Sequence, residues 1–105
     1  MIQKLKNLLG IGPKINMGEL ISQGAVIIDV RTPGEFSSGH AKGSINVPLD
    51  QLSVITKKIK IKDKAIITCC ASGMRSASAK MYLKKQGYTN VYNAGPWFTL
   101  NKHVK

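Results

Sequence analysis

AIITCCASGMRSASAKMYLKKQG, residues 65–87, is the stretch that decides the fold. AIITC (65–69) is apolar with no polar alternation, the mark of a strand covered on both faces, and such strands belong to parallel sheets. The run stops at two cysteines and a loop of small residues. From Ser76 to Gln86, Ala77, Ala79, Met81 and Leu83 stand at spacings a helix can bury, with Lys80, Lys84 and Lys85 outward, and Gly87 ends the run. The order strand, tight loop, helix is half of a βαβ unit.

Working outward, the same pattern recurs. AVIIDV (25–30) is a second continuous apolar strand, SINVPL (44–49) a short one closed by Pro48, and NVYNA (90–94) a fourth. Helices fall between them. Asn16 caps one that runs through Ser22 and ends at Gly24. Thr32-Pro33-Gly34-Glu35 starts another, with Thr32 as cap, Pro33 in the first turn and Glu35 at the capping-box position; Gly39 keeps it short. Asp50 is expected to cap a third helix running to about Ile59. KIKIKDK (58–64) reads as a lysine-rich helix end and turn, and Trp97 to Lys102 as a closing helical turn. This alternation predicts an α/β fold: a doubly wound parallel sheet of four to five strands with right-handed crossovers and helices on both faces. In such sheets the site lies at the carboxyl ends of the strands, which is where Cys69 to Arg75 fall.

The chain has 105 residues, 43% of them apolar, which predicts one domain. Gly10, Gly12 and Pro13 separate a short basic segment, 1–13, from a single domain, 14–105. The segment's apolar stretch is too short to span a bilayer and lacks the pattern of a cleaved leader, so no membrane partner is expected. The net charge of +11 favours anions. The lysines fall in two local groups, 57–64 and 80–85, without interleaved aromatic residues or a nucleic-acid-binding motif, so a solvated surface is expected and nucleic acid is not. Two adjacent cysteines make no disulfide framework and read as free thiols in a reducing compartment, the cytoplasm by default. No metal site or cofactor is expected, and a monomer is.

The loop carries the chemistry. A turn with Gly73 and the small residues Ala71 and Ser72 lets successive backbone N–H groups point into one concavity, and together with Met74, Arg75, Ser76 and the N-terminus of the helix that follows it makes an anion cradle. A thiolate at its rim is stabilised by those N–H groups, by the helix dipole and by Arg75, which makes it a nucleophile at neutral pH. Arg75 also suits a tetrahedral oxyanion. Two counts are open. From Cys69 the loop is Cys-x5-Arg, the length found in cysteine phosphatases; from Cys70 it is Cys-x4-Arg. The glycine stands three residues after Cys70 and favours that count.

CASGMRS (70–76) resembles the C-x-x-G-x-R-S active-site loop of rhodanese-domain sulfurtransferases. IIDVRTPGEFSSGHAKGSINVPL (27–49) resembles that family's first signature and LKKQGYTNVYNAG (83–95) its closing segment, so the resemblance covers about Val26 to Trp97. It implies a ping-pong reaction with a small anionic sulfur donor such as thiosulfate, and an acceptor that is cyanide, a thiol or a sulfur-accepting protein. Carried onto this chain, Cys70 is the nucleophile and persulfide carrier, the N–H groups of Ala71 to Arg75 cradle the transferred sulfur, and Arg75 holds the donor's anionic part. The run Ala94-Gly95-Pro96-Trp97 departs from the Gly-Gly pair the family often has before its Trp, and Cys69 stands where the family often has Tyr or an apolar residue.

The remaining polar residues have plainer readings. Ser72 and Ser76 bond the anion or cap the helix. Asp29, Arg31 and Glu35 pair around a turn, His40 satisfies buried backbone groups, and Trp97 packs. Cys69, expected to point away from Cys70, is a packed thiol or a partner that resolves the persulfide. Two other functions compete: a phosphatase or arsenate reductase built on Cys69 and Arg75, and a non-catalytic module that passes persulfide to a partner protein.

Overall fold

The computed structural model describes residues 16–104. The segment 1–13 expected from the sequence lies outside them. Four strands, β1 (Val26–Asp29), β2 (Ile45–Asn46), β3 (Ile66–Cys70) and β4 (Val91–Pro96), form one sheet in the order β2-β1-β3-β4, with every neighbouring pair parallel. This is the α/β sheet the apolar runs predict.

Alternation explains why β3 has no polar face. Ile66 and Cys70 point into one core with Ile28, Ile55, Leu83 and Tyr88, beneath α3 (Ser53–Lys58) and α4 (Met74–Lys85). Ile67 and Cys69 point into a second core with Ile27, Ala41 and Leu100, beneath α1 (Met17–Ser22) and a 3₁₀ segment, Trp97–His103. Both faces are dry, so both sets of positions must be apolar or paired.

Local signals placed most helix ends. The Asn16 side chain accepts the Glu19 N–H at 3.0 Å to open α1. Thr32 and Glu35 close a reciprocal capping box on α2 (Pro33–Ser38), with Pro33 in its first turn. Gly87, at φ +100, stops α4: its N–H reaches Lys84 O at 3.0 Å and the Tyr88 N–H reaches Leu83 O at 3.1 Å, the paired bonds of a Schellman ending.

Four expectations are corrected. Asp50 caps nothing. It lies inside a 3₁₀ turn, Leu49–Gln51, that runs through Leu52 in helical backbone geometry (φ −62, ψ −22) straight into α3, so no extended residue is left to act as an N-cap. The helix after the loop starts at Met74 rather than Ser76, because Gly73 at φ +106 turns the chain directly into it. The buried stripe of α4 is Ser76, Ala79 and Leu83; Met81 is 63% exposed and Ala77 is also outward, since a 3.6-residue period puts 81 on the far side from 79 and 83. Finally, β3 includes Cys70, so that residue ends the strand instead of opening the loop.

Candidate active site

The two cysteines part at the end of β3 because adjacent strand residues face opposite sides of a sheet. Cys69 sits in the second core, fully buried and free. Burial, with the nearby Asp29 charge, pushes its thiol up to about 12. Cys70 faces the first core at the carboxyl edge of the sheet, also fully buried and followed by the exposed Ala71 and Ser72.

The loop is built around the Cys70 sulfur. The Gly73 N–H donates to Sγ at 2.9 Å and the Ser76 N–H at 3.4 Å, with the Ser76 hydroxyl also 3.4 Å away. Burial alone raises a thiol, but bonds from the Ser76 hydroxyl and from the N–H groups of Ser76, Gly73 and Ser72 outweigh it and lower Cys70 below its ordinary value. Gly73 is required here on two counts. Its φ of +106 is in the left-handed region, and a methyl group built on it would stand 3.2 Å from the Cα of Gly95. Thr68, one turn of the pleat earlier, ties the start of α4 to the strand by donating to Ser76 O at 2.9 Å.

Arg75 does not stand free over the loop. Its two terminal nitrogens donate to Glu35 Oε1 at 2.8 Å and Oε2 at 3.0 Å, a bidentate pair with both side chains about one third exposed. The same Glu35 carboxylate accepts the Thr32 N–H and hydroxyl, each at 3.1 Å. Glu35 therefore leaves the expected cluster with Asp29 and Arg31 and bridges α2 to α4. Beside Arg75 a cavity of about 330 Å³, lined by Val30, Thr32, Pro48, Leu49 and Asp50, opens at the strand ends. A larger one of about 460 Å³ lies between α1 and the 3₁₀ segment, lined in part by Met17, Leu100 and His103, and neither cysteine lines it.

Asp29 and Arg31 form a buried pair of their own. The Arg31 Nε and a terminal nitrogen hold both Asp29 oxygens at 2.7–3.0 Å, and Arg31 also donates to the Gly39 carbonyl at 2.7 Å. Its guanidinium lies 4.7 Å over the Trp97 ring, so Trp97 packs as expected. His40 differs from expectation. Its ring is exposed, stacked on Phe36 at 3.7 Å, and its Nδ1 donates to the Phe36 carbonyl at 2.7 Å, which finishes α2 at the surface.

The sequence reading missed Asn93. It accepts the Ser76 hydroxyl at 2.6 Å and donates to the Gly73 carbonyl at 3.2 Å. The signal was present: asparagine is disfavoured in strands, yet it stands in the middle of β4.

Glu35 gives a pH test. The Arg75 bonds, then those from Thr32, hold its carboxyl down at about 2, from an ordinary 4.5. A depressed carboxylate contributes stability that is fully present above its unfolded value and is lost as pH falls through the folded one. Urea midpoints of wild type and Glu35→Gln should therefore differ by a constant amount above about pH 5 and converge between pH 5 and 2. A difference independent of pH would show that the ion pair contributes nothing; its exposure keeps the effect small.

The rhodanese-like domain family model matches residues 16–94. Thiosulfate sulfurtransferase PspE of Escherichia coli is 38% identical over 69 residues, 65% of this chain and 66% of that protein. Thiosulfate sulfurtransferase GlpE of Pseudomonas syringae is 35% identical over 81 residues, 77% of this chain and 76% of that one. A third relative, an uncharacterized protein of Bacillus subtilis, is 42% identical over 69 residues, 66% of this chain, and is spanned over only about half of its own length (54%). A solved rhodanese with anions from E. coli superposes with a TM-score of 0.68 at 33% identity, over 77% of this chain and 92% of its own.

Proposed function

This chain belongs to the rhodanese-like domain family, and on that premise we propose that it is a sulfurtransferase carrying a sulfane sulfur on Cys70. The observation that carries the reading is the convergence of N–H groups on the Cys70 sulfur, with Gly73 at 2.9 Å and Ser76 at 3.4 Å. The Cys70 thiolate attacks the outer sulfur of a donor such as thiosulfate. A new S–S bond forms, the donor's own S–S bond breaks, and sulfite leaves with the electron pair. Cys70 is then a persulfide anion, whose terminal sulfur lies in the ring of N–H groups from Ala71 to Arg75. Cyanide, a thiolate or the thiolate of a sulfur-accepting protein attacks that sulfur, takes it, and returns Cys70 as a thiolate. No general acid is needed, because both leaving groups are stable anions.

Arg75 enters this scheme through exchange. A donor's sulfonate matches the guanidinium fork that Glu35 now fills, so an incoming anion competes with Glu35 for it. The Cys69 count has the weaker support: that thiol lies on the opposite face of the sheet and is pushed up to about 12. We place the reaction in a reducing, cytoplasmic setting, in keeping with two free thiols; no helix among the described residues is long and apolar enough to cross a membrane.

The test is intact mass after incubation with thiosulfate. Wild type and Cys69→Ser should gain one sulfur, about 32 Da, that a reductant removes, and Cys70→Ser should gain none. A gain that persists in Cys70→Ser and disappears in Cys69→Ser would move the reaction to the other thiol, and no gain in wild type would remove thiosulfate as donor.

A further inference from the structure

Asn93 joins three parts of the site. Its Nδ2 donates to the Gly73 carbonyl at 3.2 Å; its Oδ1 accepts the Ser76 hydroxyl at 2.6 Å and the Gly95 N–H at 2.9 Å. Gly73 and Ser76 are the residues whose N–H groups lie 2.9 and 3.4 Å from Cys70 Sγ. Asn93 thus grips the turn from behind at the two points where it touches the sulfur in front.

The backbone of β4 explains how an asparagine comes to be there. Thr68 pairs with Asn93, but Cys69 pairs with Gly95, so Ala94 is one residue too many and the strand bulges. Gly95 takes φ +79 at the bulge, and the bond from its N–H to the Asn93 side chain two residues earlier is an Asx-type turn that steadies it. The bulge brings the Gly95 backbone against Gly73, where a methyl group built on Gly73 would stand 3.2 Å from the Gly95 Cα.

We propose that Asn93 is a positioning residue: by holding Gly73 and Ser76 from β4 it fixes the N–H groups that face the Cys70 sulfur, and so sets the reactivity of that thiol. N–H stabilisation of a thiolate weakens steeply as distance and angle degrade. Without Asn93 the Gly73 carbonyl loses its donor, the bulge loses its bond, and the turn is free to rotate its N–H groups off the sulfur. One opposing effect exists. The Ser76 hydroxyl has a single hydrogen, shared between Asn93 at 2.6 Å, Gly73 O at 3.1 Å and Cys70 Sγ at 3.4 Å, and removing Asn93 leaves more of it for the sulfur. The proposal holds that loss of the backbone grip dominates. It rests on Cys70 being the reacting thiol, though not on any particular sulfur donor.

The experiment is the pH profile of Cys70 alkylation by iodoacetamide, followed by peptide mass, in wild type, Asn93→Ala and the similarly sized, uncharged Asn93→Leu. Asn93→Leu keeps the bulk, adds no charge and cannot donate to the Gly73 carbonyl, so it carries the test if the alanine variant fails to fold. In both, the midpoint is expected to rise by about one pH unit, making alkylation at pH 7 about tenfold slower. Cooperative unfolding in denaturant identifies the variants that are folded. A folded variant with an unchanged midpoint would reduce Asn93 to a structural tie of β4. A midpoint that falls would show that the released Ser76 hydroxyl dominates; either result overturns the proposal. Alkylation needs no sulfur donor, so a wild type that fails to take sulfur from thiosulfate bears on the sulfurtransferase reading and leaves this measurement intact.

Discussion

At pH 7, iodoacetamide is expected to label Cys70 at least a thousandfold faster than Cys69, although the two are neighbours in sequence. The nucleophile is the thiolate, so the ratio starts from ionisation. Cys69 is pushed up to about 12, which leaves on the order of one molecule in 10⁵ ionised at neutral pH. Cys70 lies below its ordinary value, so its ionised fraction exceeds that of an ordinary free thiol. Both thiols are fully buried, so a reagent reaches either one only when something opens. Cys69 is sealed in the core under α1 and the 3₁₀ segment, and a reagent reaches it only when that core opens. Cys70 is equally buried, but it adjoins the exposed loop residues Ala71 and Ser72, so the opening it needs is that of a short surface loop. Peptide mapping over a time course measures both rates in one sample. Comparable rates would mean that the second core is open to the reagent.

Arg31→Met is expected to cost about 3–5 kcal/mol of folding stability, the usual penalty for leaving one half of a buried ion pair behind. Asp29 is fully buried and Arg31 is 5% exposed. Removing the guanidinium takes two donors from the Asp29 carboxylate, one from the Gly39 carbonyl, and the stacking on Trp97. What remains for Asp29 from this neighbour is the backbone N–H of Arg31 at 3.1 Å. The double variant Asp29→Asn, Arg31→Met should recover part of the loss, because the stranded charge is gone. Denaturant midpoints measure both. A loss under about 1 kcal/mol would place the pair among those that contribute little. Because the pair anchors the turn from β1 into α2, the same variant should weaken the Glu35–Arg75 contact across the site.

The parts of this molecule that could be read from the chain are those written in contiguous residues. Apolar runs without alternation specify strands buried on both faces, whatever packs against them. The Thr32-Pro33-Gly34-Glu35 cap closes over four residues, and Cys70, Gly73 and Ser76 converge within one turn, so their spacing already contains their geometry. Asp50 shows the limit of that reasoning. It is a good capping residue whose cap depends on an extended backbone, and the chain reaches α3 through a 3₁₀ turn instead. Hydrophobicity alone puts Met81 inward, while the inward stripe of α4 includes Ser76, a polar residue that faces the sulfur and Asn93.

By itself, then, the sequence determined the parallel α/β sheet, the loop at the carboxyl end of β3 and the thiol at its rim, because each depends on residues a few positions apart whose backbone preferences add locally. Only the tertiary structure decided what surrounds that thiol. Arg75 meets Glu35 across 40 positions and Ser76 meets Asn93 across 17. Such partners are chosen by how the strands order, where β4 bulges and which side chains desolvation forces to pair. These are consequences of packing the whole chain, and no local spacing encodes them.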